Sequence, residues 1–328
     1  MPVLLAAAVG CSSSGKTAGP DESTDKLTLA LASPSVLSYY SYRDAEELGY
    51  FEDEGLDVKI VLLEGPALVT QAIASGAADL TDNVTTGVLG AVAASRFEPV
   101  MVYRTWYKPL FGVYAPTSSN INVADDLRGK TIGVGAVNDA TAVAARQLAA
   151  GAGLKDGEDY KLLAVRTNAN AVAAFSQGQI DAWAGGPADI ATVQAAGIDL
   201  ESVETTSGEP TSVGAGLWST KETLGKKGEA VRKFIRGYRN AVADLHGDVD
   251  KVFETAGKIA PEQVEDEKVA KALIELTFSL TTVPEGEAPG MIEPAVFEQW
   301  WTVANKAGQS KIPGSPEDYY TNEFVPGS

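Results

Sequence analysis

Residues 44–58 read DAEELGYFEDEGLDV, and this stretch decides the fold. The segment 42–48 is predicted to be a helix, and Gly49 ends it because glycine accepts the left-handed conformation of a helix C-cap. Gly55 then makes a turn, and apolar residues alternate with polar ones over 56–61, as in a half-buried strand. The stretch therefore predicts a helix that leads through a tight turn into a strand.

Working outward from this unit, strands and helices alternate over the first part of the chain. The predicted strands are 26–31, 56–61, 78–81 and 99–103, and the predicted helices are 42–48, 66–74 and 84–94. The alternation restarts further on, with predicted strands 130–134, 161–165 and 180–184 and predicted helices 140–150, 170–176 and 187–196. Strands that alternate with helices form mostly parallel sheets covered by helices. The sequence therefore predicts the α/β fold class with one such sheet in each half.

Two extended stretches, 110–116 and 211–219, connect the halves, the first leading out and the second leading back. Beyond Thr220 the pattern is helical only, so the C-terminal helices are expected to pack on the first half. We therefore predict two lobes joined by two hinge crossovers, with a ligand cleft between them. The predicted divisions are a tether at 1–25, lobe I at 26–113 plus 217–328, and lobe II at 114–216.

The composition excludes several classes of function. The net charge is −18, from 44 acidic and 26 basic side chains, and such a chain repels phosphate backbones, so no nucleic-acid partner is expected. No apolar run reaches the roughly 18 residues of a membrane-spanning helix, and no basic stretch suits an anionic membrane surface. One cysteine and one histidine exclude a disulfide framework and histidine-pair metal motifs, so neither a metal nor a cofactor is expected. The histidine, His246, is predicted to end a helix, where a partly cationic ring suits the helix dipole.

The single cysteine, Cys11, follows Ala8-Val9-Gly10 and precedes the small, polar and flexible segment 12–20. Small residues before a cysteine resemble the lipobox of bacterial lipoproteins, in which the cysteine is lipidated and becomes the mature N-terminus. The preceding apolar run is short and has no Lys or Arg, so either the start is placed too far downstream or the match is by chance. We favour the first interpretation, with lipidation at Cys11. The expected location is extracytoplasmic, either lipid-anchored to the outer face of the cell membrane or periplasmic.

Four segments in order identify a family. Residues 44–58 resemble its "GYF…GLDV" signature, and residues 126–134, DLRGKTIGV, resemble a second signature. Residues 75–79 and 178–182 resemble two further elements, so that the resemblance covers most of 27–245. The chain is identified as a member of the nitrate/sulfonate/taurine and thiamine-pyrimidine-precursor branch of ABC-transporter substrate-binding proteins.

This resemblance implies a two-lobed, periplasmic-binding-protein-like fold of type II. It also implies a monomeric solute-binding protein, not an enzyme, which captures a small organic solute and delivers it to the permease subunits of an ABC importer. The membrane would be a partner only through the N-terminal lipid anchor. One alternative is a sensor that hands its signal to a receptor, because capture is the same step in both. A second alternative is an enzyme like the fungal pyrimidine-precursor synthases, but these use a cysteine-rich element and histidine chemistry that this chain lacks.

Ligand groups are expected from loops at the carboxyl ends of strands, where helix N-termini point free N–H groups into the crevice. Tyr39 is the favoured residue of a tyrosine cluster, because a flat ring with a hydroxyl suits an aromatic or heterocyclic solute. Asp82 and Asn83 are equally well explained as helix N-caps. Trp183 lies in a predicted strand and is expected to be core. The other candidates in these loops and near the crossovers are Ser33, Pro34, Gly65, Pro66, Thr85, Trp106, Gly185, Gly186 and Trp218.

The loop 135–141 departs from the family pattern. In sulfonate and taurine binders this loop carries small hydroxyl residues that receive an anion at a helix N-terminus, whereas here Asn138-Asp139 replaces much of that pattern and Thr141 follows. An aspartate that faces an anion repels it, so either Asp139 only caps the helix or the solute is not a simple sulfonate. The sequence therefore favours a neutral, zwitterionic or amine-bearing solute.

Overall fold

The computed structural model describes residues 25–92, 97–166, 168–206, 213–306 and 312–327. The strands in this part of the chain are β1 Asp25–Leu31, β2 Leu56–Leu62, β3 Leu80–Val84, β4 Pro99–Trp106, β5 Gly112–Pro116, β6 Thr131–Val134, β7 Lys161–Ala164, β8 Ala182–Gly185, β9 Leu200–Ser202 and β10 Ala215–Thr220. The α-helices are α1 Tyr40–Glu47, α2 Tyr50–Asp53, α3 Pro66–Ala74, α4 Thr85–Val92, α5 Ala140–Gly151, α6 Asn168–Ser176, α7 Pro187–Ala195, α8 Lys221–Leu245, α9 Val249–Ile259, α10 Glu267–Thr281 and α11 Pro294–Lys306. Cys11 and the predicted tether lie outside the described residues.

The strands form two five-stranded sheets, one in each half of the fold. The first has the order β2-β1-β3-β10-β4 and the second the order β7-β6-β8-β5-β9. In each sheet the strand from a predicted crossover, β10 or β5, is antiparallel to both of its neighbours. The other pairs are parallel, so four strands of each sheet point one way. The mostly parallel α/β architecture is therefore confirmed, and the crossovers themselves are strands.

The opening stretch folds as a helix–turn–strand unit for local reasons. Gly49 has a φ of 84° and begins the short helix α2, whose Phe51 stacks on Phe234 of α8 at 4.8 Å between ring centroids. Gly55 has a φ of 67° and turns the chain into β2. Both glycines occupy the left-handed region that other residues disfavour. The unit fixes the edge of the first sheet under α8.

Helices cover both faces of each sheet. On the first sheet, α1, α2 and α8 pack over one apolar face, and α3, α4 and α11 pack over the other. On the second sheet, α5 covers one face, and α6 and α7 cover the opposite face. The helix α10 packs on lobe I, as predicted for the C-terminal helices, but it also packs against α7 of lobe II. This contact joins the halves directly.

The chain passes between the sheets after β4, which ends at Trp106, and again before β10, which begins at Ala215. At the second crossing Gly214 has a φ of 79°, and a β-carbon placed on it would lie 2.1 Å from the carbonyl oxygen of Trp106. Only glycine lets the two crossings approach so closely. The lobe limits at 113/114 and 216/217 stay a prediction. Among the described residues, none of the helices is long and apolar enough to cross a membrane.

Candidate functional site

In lobe I a buried carboxylate organises the carboxyl end of the sheet. Asp82 lies in β3 and is 2 % exposed. Its Oδ2 accepts a hydrogen bond of 2.8 Å from the hydroxyl of Tyr42, and its Oδ1 accepts one of 3.0 Å from the hydroxyl of Thr105. Burial raises the pKa of Asp82 to about 6, although hydrogen bonds from Tyr42, Thr105 and Trp106 oppose the rise. The carboxylate therefore links α1, β3 and β4.

The tyrosine cluster divides between the core and the edge of the sheet. Tyr40 and Tyr42 are fully buried, whereas Tyr39 is half-buried at the N-cap of α1, with its ring centroid 6.2 Å from that of Tyr42. Burial, and after it the charge of Asp82, raises the pKa of the Tyr39 phenol, while a hydrogen bond with the backbone of Ala32 lowers it. Tyr39 is therefore a neutral, half-exposed aromatic donor, the type of side chain that the sequence predicts for the cleft.

Three other candidates of lobe I make hydrogen bonds within the lobe. The amide of Asn83 donates to the carbonyl of Pro66 at 3.1 Å and to the hydroxyl of Thr70 at 3.0 Å, so that it holds the first turn of α3. The hydroxyl of Thr85 donates to the carbonyl of Gly214 at 3.1 Å. Trp218 is 0 % exposed, and its indole nitrogen donates to the carbonyl of Asn83 at 3.1 Å. These three side chains fix β3, α3 and the returning crossover in place.

The first-loop candidates lie at the surface of lobe I. The carbonyl of Pro34 accepts a hydrogen bond of 3.1 Å from Gln263, and the hydroxyl of Ser33 accepts one of 3.2 Å from the amide of Ser35. Gly65 has a φ of 91°, and its amide donates to the carbonyl of Ala32 at 3.0 Å. Pro66, the first residue of α3, is exposed and has no N–H to offer. Glycine at 65 therefore serves the turn before α3.

In lobe II the N-terminus of α5 already holds a carboxylate of the chain itself. Asp139 is the N-cap, and its Oδ1 accepts from the amide of Ala142 at 3.0 Å and from the hydroxyl of Thr141 at 2.6 Å. Its Oδ2 accepts from the amide of Ala136 at 2.8 Å. Desolvation raises the pKa of Asp139, but these hydrogen bonds outweigh it and hold the pKa below the usual range. The aspartate therefore occupies the place where a bound anion would sit, and its neighbour Asn138 is exposed.

The first turn of α7 also contains a carboxylate of the chain itself. Gly186 is the N-cap, and its amide donates to Oδ2 of Asp189 at 2.9 Å. Gly185 and Gly186 are both buried, and a β-carbon on Gly186 would lie 3.2 Å from the ring of Phe111 in the outgoing crossover. The two glycines therefore permit close contact between the end of β8, α7 and the hinge.

The two lobes meet in a shared apolar cluster, which we call the interlobe cluster. The first sheet and α10 contribute Trp106, Ala215, Leu276 and Leu280 to it. Lobe II contributes Tyr114, Val165, Ala171, Ala174, Ile180, Trp183, Ile190, Val193 and Leu200. Of the two hinge tryptophans, the structure places Trp106 between the lobes and Trp218 inside the core of lobe I.

Sequence reasoning did not single out Thr105 or Arg166. Thr105 lies between Arg104 and Trp106 in β4, a strand that is buried along its whole length. Its hydroxyl donates a hydrogen bond to Asp82. Arg166 follows β7, is exposed and has a φ of 75°. A cationic side chain after a parallel strand is a signal that the sequence contains, whereas the unusual φ is visible only in the fold.

With this geometry in view, comparison with known proteins decides the family. The sequence model of the family described as NMT1/THI5 like matches residues 39–251. The chain belongs to this family. It is 29% identical, over 71% of the chain and 70% of the relative, to the 4-amino-5-hydroxymethyl-2-methylpyrimidine phosphate synthase THI13 of Saccharomyces cerevisiae. It is 23% identical, over 92% of the chain and 86% of the relative, to the riboflavin-binding protein RibY of Chloroflexus aurantiacus.

Among solved structures, the NMT1/THI5-like chain is similar to the periplasmic aliphatic sulphonate binding protein SsuA from Escherichia coli. The TM-score is 0.65 at 18% identity, over 92% of this chain and 99% of that one. The predicted family and the predicted two-lobed fold are thereby confirmed. At this identity the likeness concerns the fold alone.

Two grooves elsewhere on this NMT1/THI5-like fold contain none of the predicted ligand residues. One, of about 910 Å³, lies between α10 and lobe II, with Lys108, Glu201, Lys271 and Glu275 in its wall. The other, of about 660 Å³, is lined by residues 116–121 and by part of lobe II around Asp181. In the first groove Lys271 is paired with Asp250 and Glu267, so its charge is satisfied on lobe I. The candidate site at the strand ends between the lobes stays a prediction.

His246 lies at the end of α8, beside α10. Its Nδ1 is 3.1 Å from the hydroxyl of Tyr40 and its Nε2 is 3.2 Å from the hydroxyl of Thr282. Its ring centroid is 4.8 Å from that of Phe278, and burial lowers the pKa of the imidazole. These contacts are those of a packing residue at the end of α8. Among the described residues, no group of three or more His, Cys, Asp or Glu side chains is arranged to hold a metal ion.

Proposed function

We propose that this protein is an extracytoplasmic solute-binding protein that captures a small organic solute between its lobes and delivers it to an ABC importer. The observation that carries this proposal is the meeting of two α/β lobes, joined by two crossovers, at an apolar cluster next to the strand ends. A solute held there is removed from water by both lobes at once. Closure is then a population shift, driven by the solute's greater affinity for the closed state.

The solute that suits this site is flat and not a strong anion. Tyr39 and Trp106 supply aromatic surface, and aromatic rings favour stacking on planar ligands. Asp139 and Asp189 already accept hydrogen bonds from backbone N–H groups near the starts of α5 and α7. An incoming sulfonate would need these same donors. The names of two relatives agree with a flat heterocycle, since one relative is named for riboflavin binding and the other as a pyrimidine phosphate synthase.

A thermal-shift screen of the purified protein tests the proposal. The probes are taurine, nitrate, riboflavin and 4-amino-5-hydroxymethyl-2-methylpyrimidine. A probe at a hundredfold excess over its dissociation constant stabilises the fold by about 2.7 kcal/mol, which raises Tm by several degrees. We expect a heterocycle to raise Tm and both anions to leave it unchanged. If none of the probes raises Tm, capture of this class of solute is wrong.

A second candidate function is catalysis, because the curated relative THI13 is named as a synthase. The lone histidine of this chain packs in lobe I against Tyr40 and Thr282. Mass spectrometry of a heterocycle recovered after binding separates the two functions. Recovery of the unchanged molecule supports capture, and a product of altered mass supports an enzyme.

Transport and sensing share the capture step, and we propose transport. Deletion of the gene should abolish uptake of the labelled heterocycle, whereas a sensor would change only the response to it. We also propose that Cys11 carries the lipid anchor. Labelling with radioactive palmitate should mark the intact chain and should fail in the Cys11→Ser variant.

A further inference from the structure

In β8 (Ala182–Gly185) a tryptophan has a buried indole N–H without a partner, and this N–H lies near Gly185. Trp183 is 2 % exposed, and in the described part of the chain its Nε1 has no hydrogen-bond partner. We propose that this N–H is the donor that selects the solute, by binding a carbonyl oxygen or an unprotonated ring nitrogen of a neutral heterocycle. The inference rests on the proposed function and adds to it a specificity-determining residue and the chemistry of the group that it recognises.

The unpaired state of this donor needs an explanation, because buried polar groups are almost always hydrogen-bonded. A buried donor without an acceptor costs free energy in the folded protein, and the cost is recovered when an acceptor arrives. Trp218 shows the ordinary arrangement in the same fold. It is equally buried, and its Nε1 donates to the carbonyl of Asn83.

The position of the donor places it at the candidate site. A β-carbon on Gly185 would lie 3.0 Å from Nε1 of Trp183 and 2.8 Å from Cβ of Asp189. The indole nitrogen therefore points along β8 towards the N-terminus of α7, which begins at Pro187. This end of α7 meets the outgoing crossover through Phe111. Because Gly185 has no side chain, the indole N–H of Trp183 lies beside the interlobe boundary.

The donor belongs to an apolar cluster that the two lobes share. Trp183 belongs to the interlobe cluster, to which lobe I contributes Trp106 and Leu280. When the lobes separate, the cluster loses the apolar cover that lobe I gives it. An acceptor that enters the open cleft and is then enclosed makes its hydrogen bond in a place of low dielectric, where such bonds are strong.

The charges at the same strand ends define the solute class. Asp139 and Asp189 already accept the N–H groups at the starts of α5 and α7. Their carboxylates repel an anion but do not affect a neutral acceptor. A neutral heterocycle with a carbonyl oxygen or a ring nitrogen can accept a hydrogen bond from the indole N–H, and the two carboxylates do not repel it. The donor and the two caps therefore select the same chemistry.

The test compares Trp183→Phe with Trp218→Phe, the matched control, by isothermal titration with riboflavin and with the aminopyrimidine named above. Phenylalanine keeps an aromatic ring and removes the N–H at each position. We expect Trp183→Phe to weaken binding of the heterocycle at least tenfold. We expect Trp218→Phe to lower Tm, because it removes a satisfied hydrogen bond, and to leave the dissociation constant within twofold.

A spectroscopic readout separates a hydrogen bond to the solute from lost packing. With ¹⁵N-labelled tryptophan, the indole signal of Trp183 is the one that disappears in Trp183→Phe. We expect this signal to move downfield on titration of the wild-type protein, while the Trp218 signal stays in place. A heterocycle that binds the wild type without moving the Trp183 signal, or that binds Trp183→Phe as tightly, overturns this inference and leaves the proposed function standing. If neither heterocycle binds the wild type, the proposed function fails and this inference fails with it.

Discussion

Replacing Asp44 with asparagine should make the protein more stable at neutral pH and should change how its stability depends on pH. Asp44 lies in α1 and is 0 % exposed, and neither of its carboxylate oxygens has a hydrogen-bond partner among the described residues. Burial raises the pKa of Asp44 to about 8; the charge of Arg43 opposes the rise, and that of Glu47 adds to it. The folded protein therefore keeps a proton on Asp44 at neutral pH.

The sign and size of the effect follow from proton linkage. Between about pH 4 and pH 8 the folded chain holds this proton and the unfolded chain has released it, so stability falls as pH rises. The contribution is fully present below the unfolded pKa of 3.8 and is lost as the pH approaches 8. The slope is about 1.4 kcal/mol per pH unit, or about 2.7 kcal/mol between pH 5 and pH 7. Asparagine is neutral throughout and removes this slope.

Urea denaturation at pH 5, 6 and 7 measures the effect. We expect the unfolding free energy of Asp44→Asn, relative to the wild type, to rise by about 2.7 kcal/mol from pH 5 to pH 7. The exposed Asp53 of α2 provides the control, since Asp53→Asn should run parallel to the wild type over this range. Parallel curves for Asp44→Asn and the wild type would refute the reasoning, because they would mean that Asp44 ionises alike in both states.

Three further predictions concern the site and the hinge. Tyr39→Ala should weaken heterocycle binding about fivefold in isothermal titration, because it removes a half-buried ring worth about 1 kcal/mol in stacking; unchanged affinity would remove Tyr39 from the site. Arg166→Gly should raise the unfolding free energy by about 1 kcal/mol, since glycine accepts the φ of 75° without strain, and it should leave heterocycle affinity unchanged; a loss of affinity would indicate an anionic group on the solute. Gly214→Ala should lower the unfolding free energy by about 3 kcal/mol, because its β-carbon would collide with the carbonyl of Trp106; a loss below 1 kcal/mol would mean that the crossovers can move apart.

Local patterns in the sequence predict most of the elements of this fold. Glycines at the ends of helices and alternation within strands act through the backbone of a few neighbouring residues, so the sequence contains the whole signal. Thus the strand predicted at 56–61 is found as β2, and the helix predicted at 140–150 is found as α5. The N-cap at Asp139 is equally local. Its carboxylate accepts hydrogen bonds from Ala142 and Thr141, as expected for a residue that caps the helix.

The departures from prediction come from contacts between distant segments. The third strand is predicted at 78–81 but runs over Leu80–Val84, because Asp82 and Asn83 continue the pairing with β10. Polar residues at a strand end are typical of a loop. Here Tyr42 and Thr105, from other elements, satisfy Asp82 in the core. No local pattern contains those partners.

The same reasoning applies to the site. The place of Trp183 in a predicted strand correctly indicates a core residue. Whether its N–H finds an acceptor depends on α7, on the hinge and on lobe I, which come together only in the fold. The equally buried Trp218 has an acceptor, so burial alone does not distinguish a packing tryptophan from a binding one.

The contact between α7 and α10 restricts how the lobes can move. Ala191 of α7 is packed in the apolar core of lobe I, beside Ala270 and Leu273 of α10. Small residues on a helix allow close approach and sliding, so lobe opening is expected to shift α7 along α10 while the crossovers bend. Such a shift exposes the interlobe cluster, and this loss of apolar burial favours the lobes together. Under the proposal for Trp183, a solute enclosed between the lobes accepts a hydrogen bond from its N–H and so adds to this preference for the lobes together.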